Sequence, residues 1–258
     1  MGLSSRNGDE DHTAMSGALA PDMVQRAGTL SRVVVTAARF MTATITGGRP
    51  RRRRVFQYVG PMEFQDVLRR RRMVRTYDPD RPVPAELVDR IVQNGLRAPS
   101  AGFSQGWGFL VLDQADDIAR FRDAVRPPER PENWFAANVQ APLLIVAHSD
   151  KDAYLDRYAQ PDKGFTDRSD EWWPAPYWDI DAGFAALLML LTAVDAGLGA
   201  CFFGMPKSRI GAYREAFGVP GEFLPIGIVS IGYSDEPPRD LRDRRRPTAE
   251  VVHRGRWS

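Results

Sequence analysis

The sequence predicts a domain of mixed helices and strands running from about residue 62 to residue 258. Three observations support that class. Leu87, Val88, Ile91 and Val92 repeat at the spacing of one helix face. Leu143 to Ala147 is a continuous apolar run of strand length, the pattern of a central strand covered on both faces. Leu224 to Tyr233 reads as a second long strand, with Pro225 near its start.

Element by element, Met62 opens the first well-patterned helix, in which Phe64, Val67 and Leu68 precede a run of arginines. Pro84 sits where a proline favours a helix start, and Pro99 lies just past the end of that second helix. Gly108 to Leu112 is a strand candidate and Ala115 to Val125 a helix. From Ser149 to Trp178 the chain is polar and rich in aromatic rings, without a period. That pattern predicts a long lid or binding loop. Asp179 or Asp181 then caps an apolar helix that Gly197 ends. Its uncharged core, Ala182 to Val194, is too short to span a bilayer and reads as a buried helix. Phe184, Leu187, Leu188 and Leu191 follow helical spacing and serve as core or dimer contacts. Ala200 to Phe203 forms a strand and Pro206 to Phe217 a helix. The Pro- and Arg-rich tail from Ser234, with a lone Trp257, is expected to run over a surface, that of a partner subunit included.

Composition narrows the function. Hydrophobic residues make up 43% and charged residues 26% of the 258, ordinary values for a soluble globular protein. They exclude a fibre, a membrane bundle and a wholly disordered chain. A single cysteine, Cys201, rules out an internal disulfide, and three histidines make a multi-ligand zinc or iron site unexpected. Cys201 lies in a strand pattern without a recognisable partner and reads as a core residue. His148, at a strand end, reads as structural or solvent-facing. A net charge of +2 does not suggest a nucleic-acid binder, and nearly all the positive charge is arginine. Residues 1–61 differ from the rest and are expected to form a poorly structured extension. They carry no secretory signal, which fits a cytoplasmic protein, and the run Arg51 to Arg54 reads as a solvated tail.

Three constellations could carry chemistry. Arg69-Arg70-Arg71-Arg72-Met73-Val74-Arg75 follows the first helix, and arginine forks match the oxygens of a phosphate. Ala98-Pro99-Ser100 leads into Phe103-Ser104-Gln105-Gly106-Trp107, small and polar residues that let backbone approach a flat ligand. Gly197-Leu198-Gly199 opens a strand that closes on Phe203-Gly204. None of them is a dinucleotide fingerprint or a P-loop.

In this order the three resemble the FMN-dependent nitroreductases. The arginine segment followed by Thr76-Tyr77-Asp78 is similar to that family's R-x-S-x-R opening. Ala98-Pro99-Ser100 with Gln105 and Trp107 is similar to its A-P-S and N-x-Q-P-W elements. Leu224 to Tyr233 and the arginine-rich tail complete the order. The resemblance implies an α+β fold with a mostly antiparallel central sheet flanked by helices, and a C-terminal extension that wraps a dimer partner. It implies a homodimer that holds FMN at the interface, takes hydride from NADH or NADPH, and reduces a small planar acceptor such as a nitroaromatic or a quinone. No membrane or nucleic-acid partner is implied.

By the same resemblance, Arg71 and Arg72 bind the FMN phosphate with help from Arg244 or Arg245, and Arg75 sits near the ribityl chain or the N1–C2=O edge. Ser100 and Gln105 contact the ring or the ribityl hydroxyls. Backbone near Phe203 and Gly204 faces flavin N5, so that the flavin carries the chemistry and no catalytic side chain is demanded. Phe103, Trp172, Trp173, Tyr177 and Trp178 are candidates for substrate contact. The four residues from Trp172 to Trp178 could equally staple their loop to the core. Two residues depart from the family pattern. Met73 stands in place of its serine and removes a donor to phosphate. Phe103 stands in place of its asparagine and removes a contact to the pyrimidine edge. Two other readings stay open: a flavin-binding protein without NAD(P)H turnover, and a nucleic-acid module built on the arginines.

Overall fold

The computed structural model describes residues 62–127, 140–165 and 167–257. The expectations for residues 1–61, the Arg51–Arg54 run among them, lie outside the described residues.

Four strands form one sheet in the order β1-β2-β4-β3: β1 (Trp107–Leu112), β2 (Leu143–Asp150), β3 (Gly199–Phe203) and β4 (Phe223–Gly232). Every neighbouring pair is antiparallel. The helices are α1 (Phe64–Arg70), α2 (Ala85–Gly95), α3 (Ala115–Val125), α4 (Lys151–Tyr158), α5 (Tyr177–Asp195) and α6 (Ile210–Phe217).

The apolar run in β2 is explained by what covers it. Successive side chains alternate faces. Leu144 and Val146 pack with Ile118, Phe121, Val125 and Tyr213 of α3 and α6. Leu143, Ile145 and Ala147 pack with Val88 and Ile91 of α2 and with Met189, Leu190 and Ala193 of α5. An antiparallel strand thus reads as continuously apolar because helices cover both faces.

α5 ends as predicted. Gly197 adopts φ 76°, its N–H reaches the Val194 carbonyl at 2.9 Å, and Leu198 N–H reaches Ala193 at 2.8 Å. This is the paired closure that a left-handed residue permits. At 19 residues α5 is longer than expected, and by length and hydropathy alone it could cross a membrane. Half of it is buried in the fold, where it serves as a core helix.

Several elements differ from expectation. Residues 149–178 are not one long loop, for α4 and a helical turn at Asp170–Trp172 interrupt them. α4 buries only Tyr154 and Leu155 among charged neighbours, too little apolar signal to stand out in sequence. Asp150, whose side chain accepts from Ala153 N–H at 3.2 Å, caps it. α5 starts after Pro176 and has no side-chain cap, so neither Asp179 nor Asp181 does that work. The helix expected from Pro206 begins as a turn at Lys207–Arg209 and becomes regular at Ile210.

His148 is buried. Pro225 cannot donate to the ladder, and the β2–β4 register shifts between Ala147 and His148 to admit it. The imidazole Nδ1 lies 3.1 Å from the Gly108 carbonyl and Nε2 lies 2.9 Å from the Tyr213 hydroxyl. A carbonyl only accepts, so Nδ1 carries the proton and the phenol donates to Nε2. Burial is the main force holding the His148 pKa below its usual value.

The unfolded chain therefore binds a proton that the folded chain refuses. Stability is complete above the ordinary imidazole range and is lost as pH falls below ~6.5. Thermal unfolding followed from pH 8 to pH 5 is expected to show this loss, and His148→Gln to flatten it. An unchanged profile in the variant would exclude His148 as the titrating group.

Candidate functional site

After α1 the chain runs extended along the outer edge of β3. Met73 pairs in parallel with Ala200, and Val74 N–H donates to the Ala200 carbonyl at 2.9 Å. Phe202 N–H reaches the Met73 sulfur at 3.5 Å. Tyr77 pins the segment from below. Its buried hydroxyl donates to the Val74 carbonyl at 2.6 Å and lies 2.8 Å from the Ser230 hydroxyl. Burial raises this phenol's pKa beyond its ordinary range.

The tail returns to the same segment. One carboxylate oxygen of Glu236 accepts from Arg75 N–H at 2.7 Å and from Thr76 N–H at 3.0 Å. Ser234 Oγ donates to the Thr76 carbonyl at 2.6 Å. Arg72 donates to the carbonyls of Pro237, at 2.9 Å, and Glu236. Burial alone would raise the Glu236 pKa. The two backbone N–H groups, with Arg239 and Arg72, outweigh it and hold the carboxyl below its usual value.

This clasp brings the predicted arginines together. Arg71, Arg72 and Arg75 line one cavity of about 790 Å³ with Arg244 and Arg245. Arg72 differs from expectation in that its guanidinium already holds the tail backbone. Met73 also lines the cavity.

Ser100, Phe103 and Gln105 do not line this cavity; their loop is built elsewhere. Ala101 N–H donates to Asp181 at 2.8 Å, Arg157 Nε to the Gly102 carbonyl at 3.0 Å, and Gln105 N–H to Ser100 Oγ at 3.0 Å. Gly102 has φ 62°, and a Cβ there would stand 2.7 Å from the Tyr158 ring. Phe103 and Gln105, neither a glycine, sit at φ 57° and 50°, in the left-handed region where side chains cost energy. Phe103 is 74% exposed.

The loop meets α5 near its start, at Asp181. The arginine segment lies at the other end of α5, where Arg70 and Arg72 line one pocket with Val194 and Gly197, and Met62 N–H, just ahead of α1, donates to Asp195 at 2.7 Å. At 1.5 Å per residue these points are ~21 Å apart.

Trp173 is the hub of an aromatic cluster, with ring centroids 4.5 Å from Tyr158, 5.9 Å from Tyr154 and 5.9 Å from Trp178. Trp173 and Trp178 thus staple the segment to the core. Trp172 and Tyr177 keep exposed faces. Phe203 turns its side chain into the core, and Gly204 is exposed at the end of β3. Cys201 is buried, as read from the sequence, and burial raises its thiol pKa.

A sequence profile described as the nitroreductase family matches residues 68–233, which include the arginine segment, the Ser100 loop and all four strands. The chain belongs to the nitroreductase family. Its fold agrees with that assignment. A nitroreductase family protein of Clostridium difficile superposes with a TM-score of 0.59 at 23% identity, over 76% of this chain and 100% of that one. A structure from Exiguobacterium sibiricum, provisionally described as a nitroreductase in complex with FMN, superposes with a TM-score of 0.58 at 20% identity, over 78% and 100%. Among curated proteins, one of Methanothermobacter thermautotrophicus, provisionally named NADH dehydrogenase/NAD(P)H nitroreductase, is 28% identical over 203 residues. That match spans 77% of this chain and 90% of the relative.

Two residues that organise this nitroreductase fold have roles the sequence does not show. Glu236 was one acid in a charged tail, and its separation of 161 residues from Arg75 left no local signal. Asp181 was read as a cap. It is instead a buried tie that accepts from both Ala101 N–H and the Tyr154 hydroxyl at 2.8 Å. Asp181→Ala strands one buried donor, the Tyr154 hydroxyl, and one part-buried donor, Ala101 N–H, and is expected to lower stability by ~2–3 kcal/mol. Urea denaturation measures it, and an unchanged midpoint would show that the tie is dispensable.

Proposed function

We propose that this chain is an oxidoreductase that holds FMN and uses it to pass hydride from NAD(P)H to a small planar acceptor such as a nitroaromatic or a quinone. The observation that carries the reading is the arginine cavity, assembled from two segments far apart in sequence. Its donor set suits a phosphate, since guanidinium forks match phosphate oxygens two at a time.

Each residue then has a task. Arg71, with Arg244 or Arg245, clamps the phosphate, and Arg72 holds the tail that delivers them. Arg75 supplies fixed positive charge toward the N1–C2=O edge, where negative charge collects on reduction. Gly204 has open space where a Cβ would stand, so backbone at the end of β3 can approach N5 closely.

One chain holds only half of such a site, because the Ser100–Gln105 loop and the arginine cavity meet opposite ends of α5. α5 also suggests the remedy. Its outer face presents Tyr177, Ile180, Phe184 and Leu187 exposed, an apolar stripe at helical spacing. A second copy packed by two-fold symmetry, with the α5 helices antiparallel, covers that stripe. The same packing brings Ser100, Phe103 and Gln105 of one copy toward the arginines of the other. The exposed Leu241, Val251, Val252 and Trp257 support a tail that lies on the partner. The reading is a cytoplasmic homodimer with two sites.

The purified protein is expected to show flavin absorbance that bleaches under anaerobic NAD(P)H. Bands that persist would favour a flavin-binding protein without turnover. Arg71→Ala combined with Arg75→Ala is expected to give folded protein with flavin content reduced about tenfold or more. Full occupancy in that variant would overturn the phosphate assignment. Phe184→Glu with Leu187→Glu is expected to give monomer by light scattering, with flavin lost in parallel. A flavin-loaded monomer would overturn the shared site.

A further inference from the structure

The loop that carries Phe103 has two backbone forms open to it. Ser104 N–H donates to the Ala101 carbonyl at 3.1 Å and closes a turn. Its central residues are Gly102, at φ 62° and ψ 12°, and Phe103, at φ 57°. Positive φ at both is the pattern of a type I′ turn. Rotating the peptide between them by half a turn gives the type II′ form, in which only the first central residue keeps positive φ. Gly102 accepts either form, whereas Phe103 is in the costly left-handed region only in the form observed.

That peptide is held at both ends. Its N–H, that of Phe103, donates to the Ser100 carbonyl at 2.9 Å, within the loop. Its carbonyl, that of Gly102, accepts from Arg157 Nε at 3.0 Å, from the last turn of α4. Arg157 is itself aimed. Its two terminal nitrogens donate to the two carboxylate oxygens of Asp162, each at 2.8 Å, a fork that fixes the plane of the guanidinium. The two acids of α4, Asp152 and Asp156, pair with Arg168 instead, at 2.9 Å and 2.7 Å. The Arg157 side chain is 31% exposed, so it is packed against the loop rather than free in solvent. Tyr158, next in the chain, stands where a Cβ at Gly102 would reach its ring at 2.7 Å, which reserves the position for glycine.

We propose that Arg157, aimed by Asp162, is a positioning residue that latches the Gly102–Phe103 peptide in the left-handed turn and so sets where Phe103 and Gln105 stand in the flavin site. This rests on the FMN reading above, but the latch belongs to the chain itself and is measurable without reference to flavin.

Amide exchange in the full-length protein reads the latch, and fluorescence titration with FMN reads its consequence. Arg157→Ala is expected to speed exchange of Phe103 N–H by about tenfold or more, while the amides of α5 keep their protection. The same variant is expected to weaken FMN binding by roughly fivefold or more, with Arg157→Lys recovering only part, because an ammonium has no fixed fork. A role confined to the stability of α4 would give the same loss whatever residue stands at position 103. The latch gives a different result: in a Phe103→Gly background, where the left-handed turn costs little, adding Arg157→Ala is expected to change FMN affinity by less than about twofold. Asp162→Asn weakens the fork and leaves the Nε donor in place, so a smaller effect of the same sign is expected, and this variant carries the test if Arg157→Ala does not fold. Unchanged Phe103 exchange would overturn the latch, and unchanged FMN affinity, or an equal loss in both backgrounds, would overturn the positioning role; each leaves the FMN reading intact. A wild-type chain that takes up no FMN would overturn that reading itself.

Discussion

The Glu236 carboxylate is the contact on which the rest of the candidate site depends. It joins residues 161 apart by accepting two consecutive backbone N–H groups, those of Arg75 and Thr76. A carboxylate that accepts backbone donors and faces cations keeps its charge, and such charge-assisted bonds are stronger than neutral ones. With Ser234 on the Thr76 carbonyl and Arg72 on the Glu236 and Pro237 carbonyls, it ties down the tail that carries Arg244 and Arg245. With it they share a cavity with Arg71 and Arg75. The clasp is supported from the core side by Tyr77, whose hydroxyl fixes the Val74 carbonyl over Ser230. The arginines can therefore be dense, because one carboxylate both holds their backbone and faces Arg72 and Arg239.

α5 sets the second constraint. It is apolar around most of its circumference, which for a helix means burial on more than one side. Ala182 and Ala185 are buried, and Ala186, Met189 and Ala193 pack in one cluster with strand residues. The larger side chains, Phe184 and Leu187, point the other way and stay exposed in a single chain. The sequence shows these apolar positions but not the division between faces, because both faces read as hydrophobic. The buried face mixes small residues with Met189 and Leu190, while Phe184 and Leu187 stay exposed, so hydropathy alone does not separate the two faces.

Much of the fold was legible because its signals are local. β2 announces itself as an apolar run, α2 as an amphipathic period, and Gly197 as a left-handed stop. α4 was hidden because two buried residues among charges make no period. The site was legible as a set of motifs but not as an arrangement. Motif order placed the arginine segment and the Ser100 loop in one site, whereas the chain anchors them at opposite ends of α5. Long-range ties such as Asp181 to Ala101 and Glu236 to Arg75 leave no trace in spacing, since each needs only one ordinary acid at an unremarkable position.

The two departures from the family pattern look different once their surroundings are known. Met73 gives up a hydroxyl, but its sulfur receives Phe202 N–H at the edge of β3, where that strand would otherwise face a bare side chain. Phe103 is more informative. Holding two non-glycine residues in the left-handed region costs on the order of 1–2 kcal/mol each, and such strain persists only where neighbours fix the backbone. Here three hydrogen bonds, from Ala101, Arg157 and Gln105, fix it. They belong to a loop that buries almost nothing of Phe103. A loop built only to join α2 to β1 would gain nothing from that strain. One that holds an exposed aromatic ring gains a fixed direction for it, which is what the positive φ of Phe103 and its 74% exposure together describe.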